Sequence, residues 1–156
     1  MAETEPRFLL DVMCGGLVAY LRMCGYDTAY AGERGLEADD DLLAVARAEE
    51  RVVVTRDVEL AGRLPEERSI LLAAREVEDQ LAELSGAGVS LELPDEPTRC
   101  GRCNGRLERV EPEERTPEYA PDPSGTGVWR CLECGQLFWK GSHWERVRET
   151  LSRTSQ

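Results

Sequence analysis

Through the first ninety residues, short apolar runs alternate with stretches in which apolar side chains recur every three or four positions. Arg7-Phe8-Leu9-Leu10 is an apolar run that stops at Asp11 and reads as a buried strand. From Gly15 to Met23, Leu17, Val18, Tyr20 and Leu21 fall at helical spacing, and Gly25 supplies the stop. Asp27-Thr28-Ala29-Tyr30 suits a second strand. Asp39-Asp40-Asp41 opens a helix with Leu42, Leu43, Val45 and Ala46 on its apolar face, ending near Arg51. Val52-Val53-Val54 is the strongest strand pattern in the chain and runs through Thr55-Arg56 into Asp57, with a short helix through Leu60. Ser69-Ile70-Leu71-Leu72 predicts a fourth strand, and Val77 to Leu84 a last helix. The order βαβαβαβα predicts an α/β fold, a parallel sheet with helices on both faces. Pro94, Asp95, Glu96 and Pro97 read as a stiff linker. The expected organisation is a sheet domain over 1–93, a linker over 94–98 and a small unit over 99–156.

Cysteine usage divides the chain at the same place. Cys100-Gly-Arg-Cys103 and Cys131-Leu-Glu-Cys134 are two C-x-x-C pairs. Each pair puts two thiolates on one tight turn, and two such turns complete a tetrahedron around Zn²⁺. Disulfides or a redox motif are the alternative, but no secretory signal or single C-x-x-C in a βαβ setting accompanies them. Four thiols form a closed site, so the predicted zinc is structural, a staple for a ribbon too small to build its own core. Between the pairs, PEYAPDPSGTG is a run of turn formers and predicts an extended loop. Cys14 and Cys24 lie about 15 Å apart if helical and read as buried free thiols.

Charge sharpens the division. The 156-residue chain carries a net charge of -12, with 31 acids against 19 bases. Residues 1–98 hold 22 acids and 9 bases, and residues 99–156 hold 9 acids and 10 bases, so the halves carry −13 and +1. A fold-wide basic footprint for nucleic acid is absent, and the C-terminal part is the better place for a polyanion to touch. All but one of the bases are Arg, which fits either a high-salt cytoplasm or a GC-rich codon bias. No apolar stretch approaches the roughly 20 residues of a membrane span, and the N-terminus MAETEPRFLLD has no signal-peptide pattern. A cytoplasmic location with no membrane partner is expected.

The acids supply candidate chemistry. In open α/β sheets, ligands bind beyond the carboxyl ends of the strands. Asp11 ends the first strand and Asp57 the third. Asp39 heads the helix before the third strand, and these spans put it on the opposite side unless the loop Ala31 to Ala38 folds back. Converging carboxylates repel and must bind a cation or protonate, and an all-oxygen site suits Mg²⁺ or Mn²⁺. Such an ion polarises a phosphodiester and generates hydroxide. Each acid has a plainer reading as well: Asp39-Asp40-Asp41 and Asp57 as helix caps or dipole partners.

Together these residues resemble a known family. Leu10-Asp11-Val12-Met13, Leu17 to Arg22, Gly25-Tyr26-Asp27-Thr28, Asp39-x-x-Leu42-Leu43, Arg51-Val-Val-Val-Thr55-Arg56-Asp57 and Glu78-Asp79-Gln80-Leu81 resemble the PIN-like RNase domain of the Mut-seven-C family. Arg99-Cys100-x-x-Cys103-Asn104, Cys131-x-x-Cys134-Gly135 and Trp139-Lys140-Gly141-Ser142-His143 extend the likeness into the ribbon. Cys14-Gly15-Gly16 departs from it, standing where the family more often has Leu-Gly-Lys or Leu-Gly-Arg. The resemblance implies a PIN-like sheet followed by a zinc ribbon, and a metal-dependent ribonuclease, an endoribonuclease, with Asp11, Asp39 and Asp57 as its acids. Asp27 is a distant candidate for a fourth acid.

In that reading Asp11 and Asp57 ligate Mg²⁺ or Mn²⁺, Asp39 ligates it or orients the attacking water, and Arg56 meets a phosphate or pairs with a surface acid. Trp129, Phe138, Trp139 and Trp144 suit a small core better than base stacking. Lys140 and His143 are the ribbon's RNA contacts. The competing reading is a catalytically inactive adaptor that binds RNA, a ribosome or a protein partner.

Overall fold

The computed structural model describes residues 5–154. Met1–Thr4, the start of the segment without a signal-peptide pattern, lie outside the described residues. Strands β1 (Phe8–Leu10), β2 (Thr28–Tyr30), β3 (Val52–Thr55) and β4 (Ser69–Leu71) pair in parallel in the order β2-β1-β3-β4. Helices α1 (Val18–Met23), α2 (Ala31–Arg34), α3 (Asp39–Ala48), α4 (Val58–Gly62) and α5 (Val77–Gly86) connect or flank them. Side chains alternate across a strand, and that alternation builds two cores. Phe8, Leu10 and Val54 face Leu17 and Leu21 before and in α1 and Leu81 and Leu84 of α5. Leu9, Ala29 and Val53 face Leu42, Leu43 and Ala46 of α3 and Leu60 of α4. The α/β fold with helices on both faces is thus observed. Each of these fully buried large side chains contributes about 1.5–3 kcal/mol.

Two local departures from the sequence pattern have physical causes. Val12–Leu17 forms 3₁₀ turns rather than the start of one helix, with Cys14 at a non-helical φ/ψ. Gly15 and Gly16 are weak helix formers, and both are tightly packed. A Cβ at Gly15 would stand 2.6 Å from the Tyr30 hydroxyl, and one at Gly16 would stand 2.5 Å from Val77 Cγ2. Asp39 is the second. Helix α3 ends at the amino edge of the sheet, where the Glu49 carbonyl accepts from Arg7. About 15 Å of helix returns its head to the carboxyl edge, and the loop folds back through a Leu36 N–H to Ala31 carbonyl bond of 3.0 Å. The expectation that Asp39 lies on the opposite side is corrected.

The C-terminal part is an antiparallel meander, β5 (Leu107–Arg109), β6 (Val128–Cys131) and β7 (Leu137–Trp139), with Val110, Val128 and Leu137 as its small core. Helix α6 (Ser142–Thr154) follows. Its Trp144, Val147 and Leu151 form one buried stripe, and Val147 and Leu151 enter the first core of the parallel sheet. The last helix therefore packs on α5, against the first core of the parallel-sheet unit. Among the described residues no helix is long and apolar enough to cross a membrane.

Candidate functional site

Asp11 and Asp57 stand at the carboxyl edge because the strands that precede them run in parallel and end in register. The Asp11 side chain and the Asp57 backbone are linked through one residue. The Thr55 hydroxyl donates to Asp11 Oδ2 at 2.7 Å and accepts from the Asp57 backbone N–H at 3.0 Å. These two bonds in series hold the Asp11 carboxylate within about 6 Å of the Asp57 nitrogen. Thr55 itself is fully buried. Asp11 Oδ1 also accepts from the Val12 N–H at 2.8 Å. Asp57 caps α4, its Oδ1 accepting from Glu59 N–H at 2.9 Å and Leu60 N–H at 3.3 Å, and its Oδ2 takes no part in the cap.

Asp39 is exposed in the first turn of α3, capped by no side chain, and its neighbour Asp40 pairs with Arg63 at 2.6 Å. It shares the edge with the other two acids but does not close on them. Among the described residues, the four cysteines are the one group of three or more metal-type ligands whose donor atoms all lie within 4.8 Å. Arg56 sits between the acids in sequence, half-buried, with its Nε–H buried and without a partner. Val12, Met13, Val58 and Leu71, all next to strand ends on this edge, are exposed and give the acid pair an apolar rim. Cys14 is buried and free, as expected, while Cys24 is only half-buried. Burial, then the charge of Asp11, pushes the Cys14 thiol up to about 11, so it stays protonated and takes no part in nucleophilic chemistry.

The second site lies at the other end of the sheet. Cys100 and Cys134 bring their sulfurs to 3.7 Å, and Cys103 and Cys131 to 3.4 Å. Four sulfurs tetrahedral around zinc at 2.3 Å would stand about 3.8 Å apart, so the donor set fits that ion. Each turn closes the same way. Asn104 N–H donates to Cys100 O at 2.9 Å and Gly135 N–H to Cys131 O at 3.1 Å, both from residues with positive φ. Gly105 has no room for a side chain, since a Cβ there would meet Cys131 Sγ at 2.7 Å. Burial pushes the Cys100 thiol up to about 12. At Cys131 burial acts in the same direction, but the N–H groups of Cys134 and Glu133 bring it down to about 7.

Three partly buried hydrogen bonds, to Asn104 and Gly101, tie the first knuckle to the amino edge. Asn104 Oδ1 accepts from Thr28 N–H at 2.9 Å, and its Nδ2 donates to Asp27 Oδ1 at 2.8 Å. Arg51 donates to the same Asp27 carboxylate at 2.9 Å. Arg22, almost fully buried, donates to Thr28 O at 3.0 Å and Gly101 O at 3.3 Å. Burial would raise the Asp27 carboxyl, yet Asn104 and Arg51 hold it at about 2. Asp27 thus serves the knuckle and lies on the edge away from Asp11, so it is no fourth acid of that site.

A family model, the Mut7-C RNAse domain, matches residues 6–151. The chain belongs to the Mut7-C RNase domain family. It is a member of a nuclease family, with RNA the substrate class that the family's description carries and a four-cysteine cluster able to hold a metal ion. Compared with curated proteins and with solved structures, the chain has no match.

Of the ribbon aromatics, Trp129 and Trp144 are buried, while Phe138 and Trp139 are half-buried. Lys140 and His143 are exposed beside them, and the Lys140 ammonium donates to Asp95 O. Thr55 and Asn104 are the residues whose roles sequence reasoning missed. Both stand inside the quoted motifs, next to Asp57 and Cys103, and a hydroxyl two residues before a strand-end acid was the available signal.

Proposed function

We propose that this Mut7-C chain is a divalent-metal-dependent endoribonuclease whose reaction runs at Asp11 and Asp57, with the ribbon carrying a structural zinc and contacting RNA through Lys140 and His143. The observation that supports it is the Thr55 bridge, which ties the Asp11 carboxylate to the Asp57 backbone on one sheet edge. Mg²⁺ typically keeps several waters and takes one or two carboxylates, so an oxygen pair of this kind fits Mg²⁺ or Mn²⁺ without a third ligand. The bound ion would supply polarisation of the scissile phosphate and a more acidic water. Asp11 and Asp57 would hold it, Asp57 through the Oδ2 left over from helix capping. Asp39, on the same edge, orients the attacking water, and the Arg56 guanidinium meets a non-bridging phosphate oxygen.

With single-stranded RNA and Mn²⁺, the purified chain cleaves and an Asp11→Asn, Asp57→Asn variant loses at least about 100-fold in rate. Equal cleavage by the two proteins ends the proposal.

A second reading is favoured by the hydrogen bonds that already occupy the two acids. Asp57 Oδ1 is committed to α4 and both Asp11 oxygens accept bonds, as in an adaptor that binds RNA or a ribosomal or protein partner without chemistry. Calorimetry decides between them: millimolar Mn²⁺ binds at the acid pair of a nuclease, and no heat lost on the Asp11→Asn substitution marks the adaptor.

A further inference from the structure

Between α1, the first cysteine knuckle and the head of α6 lies an open cavity of about 290 Å³. Its apolar walls include Met23, Phe138, Trp139 and Trp144. Pockets for drug-sized ligands start near about 300 Å³, so this one suits a group the size of a single base. Two of its residues carry buried donors with no acceptor: the indole Nε1–H of Trp144, a residue 5% exposed, and the Nε–H of Arg99. Leaving such donors unpaired is costly, and a ligand that brings acceptors relieves the cost.

The charge around the cavity has one sign. Arg99 and Arg102 line it beside the His143 imidazole, and the Lys140 ammonium lies 5.5 Å from the centre of the Trp144 ring. No lining residue is acidic, in a chain with 31 acids. The site therefore offers flat aromatic faces, donors without acceptors, and cations at its mouth. A planar, acceptor-bearing group joined to a polyanion matches all three.

We propose that this cavity takes one unpaired nucleobase of a single-stranded RNA. The base lies against the aromatic wall and its carbonyl or ring-nitrogen acceptors meet the Trp144 and Arg99 N–H groups. The flanking phosphates meet Arg102, His143 and Lys140. This inference rests on RNA being the ligand, as proposed above, but not on cleavage.

The test uses the full zinc-loaded chain with no added Mg²⁺ or Mn²⁺. Fluorescence anisotropy compares a labelled uridine hexanucleotide with an abasic ribose-phosphate strand of equal length. The natural chain binds the base-bearing strand about tenfold or more tightly than the abasic one. Trp144→Phe keeps an aromatic ring, removes the donor and shrinks that preference to threefold or less, roughly. Ala19→Phe fills the cavity from an exposed position on α1, where the fold tolerates it, and abolishes the preference with zinc content and circular dichroism unchanged. Equal binding of the two strands by the natural chain, or a preference that survives Ala19→Phe, overturns the inference. Binding of neither strand overturns the RNA reading as well. A retained base preference in a chain that fails to cleave RNA once Mn²⁺ is added leaves the cavity standing and removes only the nuclease.

Discussion

A single hydroxyl organises the acidic edge. Thr55 spends its proton on Asp11 and its lone pair on the Asp57 amide, so Thr55→Val keeps the shape and strips both bonds. The variant should lose about 1–3 kcal/mol of stability through the unpaired Asp57 N–H, and RNA cleavage should fall about tenfold or more, with Thr55→Ser restoring both. Urea melts and a cleavage assay on the three proteins check this. Asp27 gives a pH prediction. Its carboxyl is held at about 2 against an unfolded value near about 4. A depressed carboxyl stabilises the fold above the unfolded value, and that stability disappears as pH falls from about 4 to 2. Asp27→Asn should cost about 2 kcal/mol at neutral pH and flatten that acid-side loss; urea midpoints of the two proteins between pH 7 and pH 2 report it.

At the scale of elements, the strands were legible because their apolar runs are short and end on charged or polar residues. Val52 to Thr55 is β3, and Leu10 hands over to Asp11 at the edge of β1. The stretch after Asp11 was not legible as 3₁₀ turns. Its apolar spacing is helical, and what changes it is contact from Tyr30 and Val77, residues far away in sequence. The same contact explains why Gly16 carries no side chain: Val77 occupies the space a Cβ needs. Gly16→Ala should therefore destabilise by about 1–3 kcal/mol, and Val77→Ala in the same chain should recover part of the loss. A double-mutant cycle by thermal denaturation measures the coupling. Asp39 was misplaced for a related reason. The fold-back of residues 31–38 rests on the short helix α2 and a left-handed Gly35, whose N–H and that of Leu36 both meet the Ala31 carbonyl.

On the scale of the whole molecule, the two candidate centres occupy opposite edges of a sheet only three or four residues deep. The acids lie beyond the strand ends, and the knuckle is bolted to the strand starts by Asn104, Arg22 and Arg51. The C-x-x-C pairs made the cysteine cluster fully readable in advance, because spacing alone fixes which thiols can meet. Its place on the amino edge was not readable, since it follows from the Asn104 amide finding Thr28 and Asp27. Removing the metal should be felt throughout. A Cys103→Ser, Cys134→Ser variant should lose bound zinc, measured by atomic absorption, and drop the melting temperature by more than about 5 °C. In the natural chain, acid should release zinc as the thiolates protonate.

The homing of α6 onto α5 has a consequence for how the chain can be cut. Topologically the ribbon is an insertion whose two ends lie side by side, Lys140 donating to the Asp95 carbonyl and Pro97 sharing a cavity wall with His143, and the terminal helix is a clasp that closes over the seam. A fragment stopping after the proline-flanked segment would bare the surface that Val147 and Leu151 cover, inviting self-association, whereas excising residues 99–141 and rejoining the ends would keep the clasp shut.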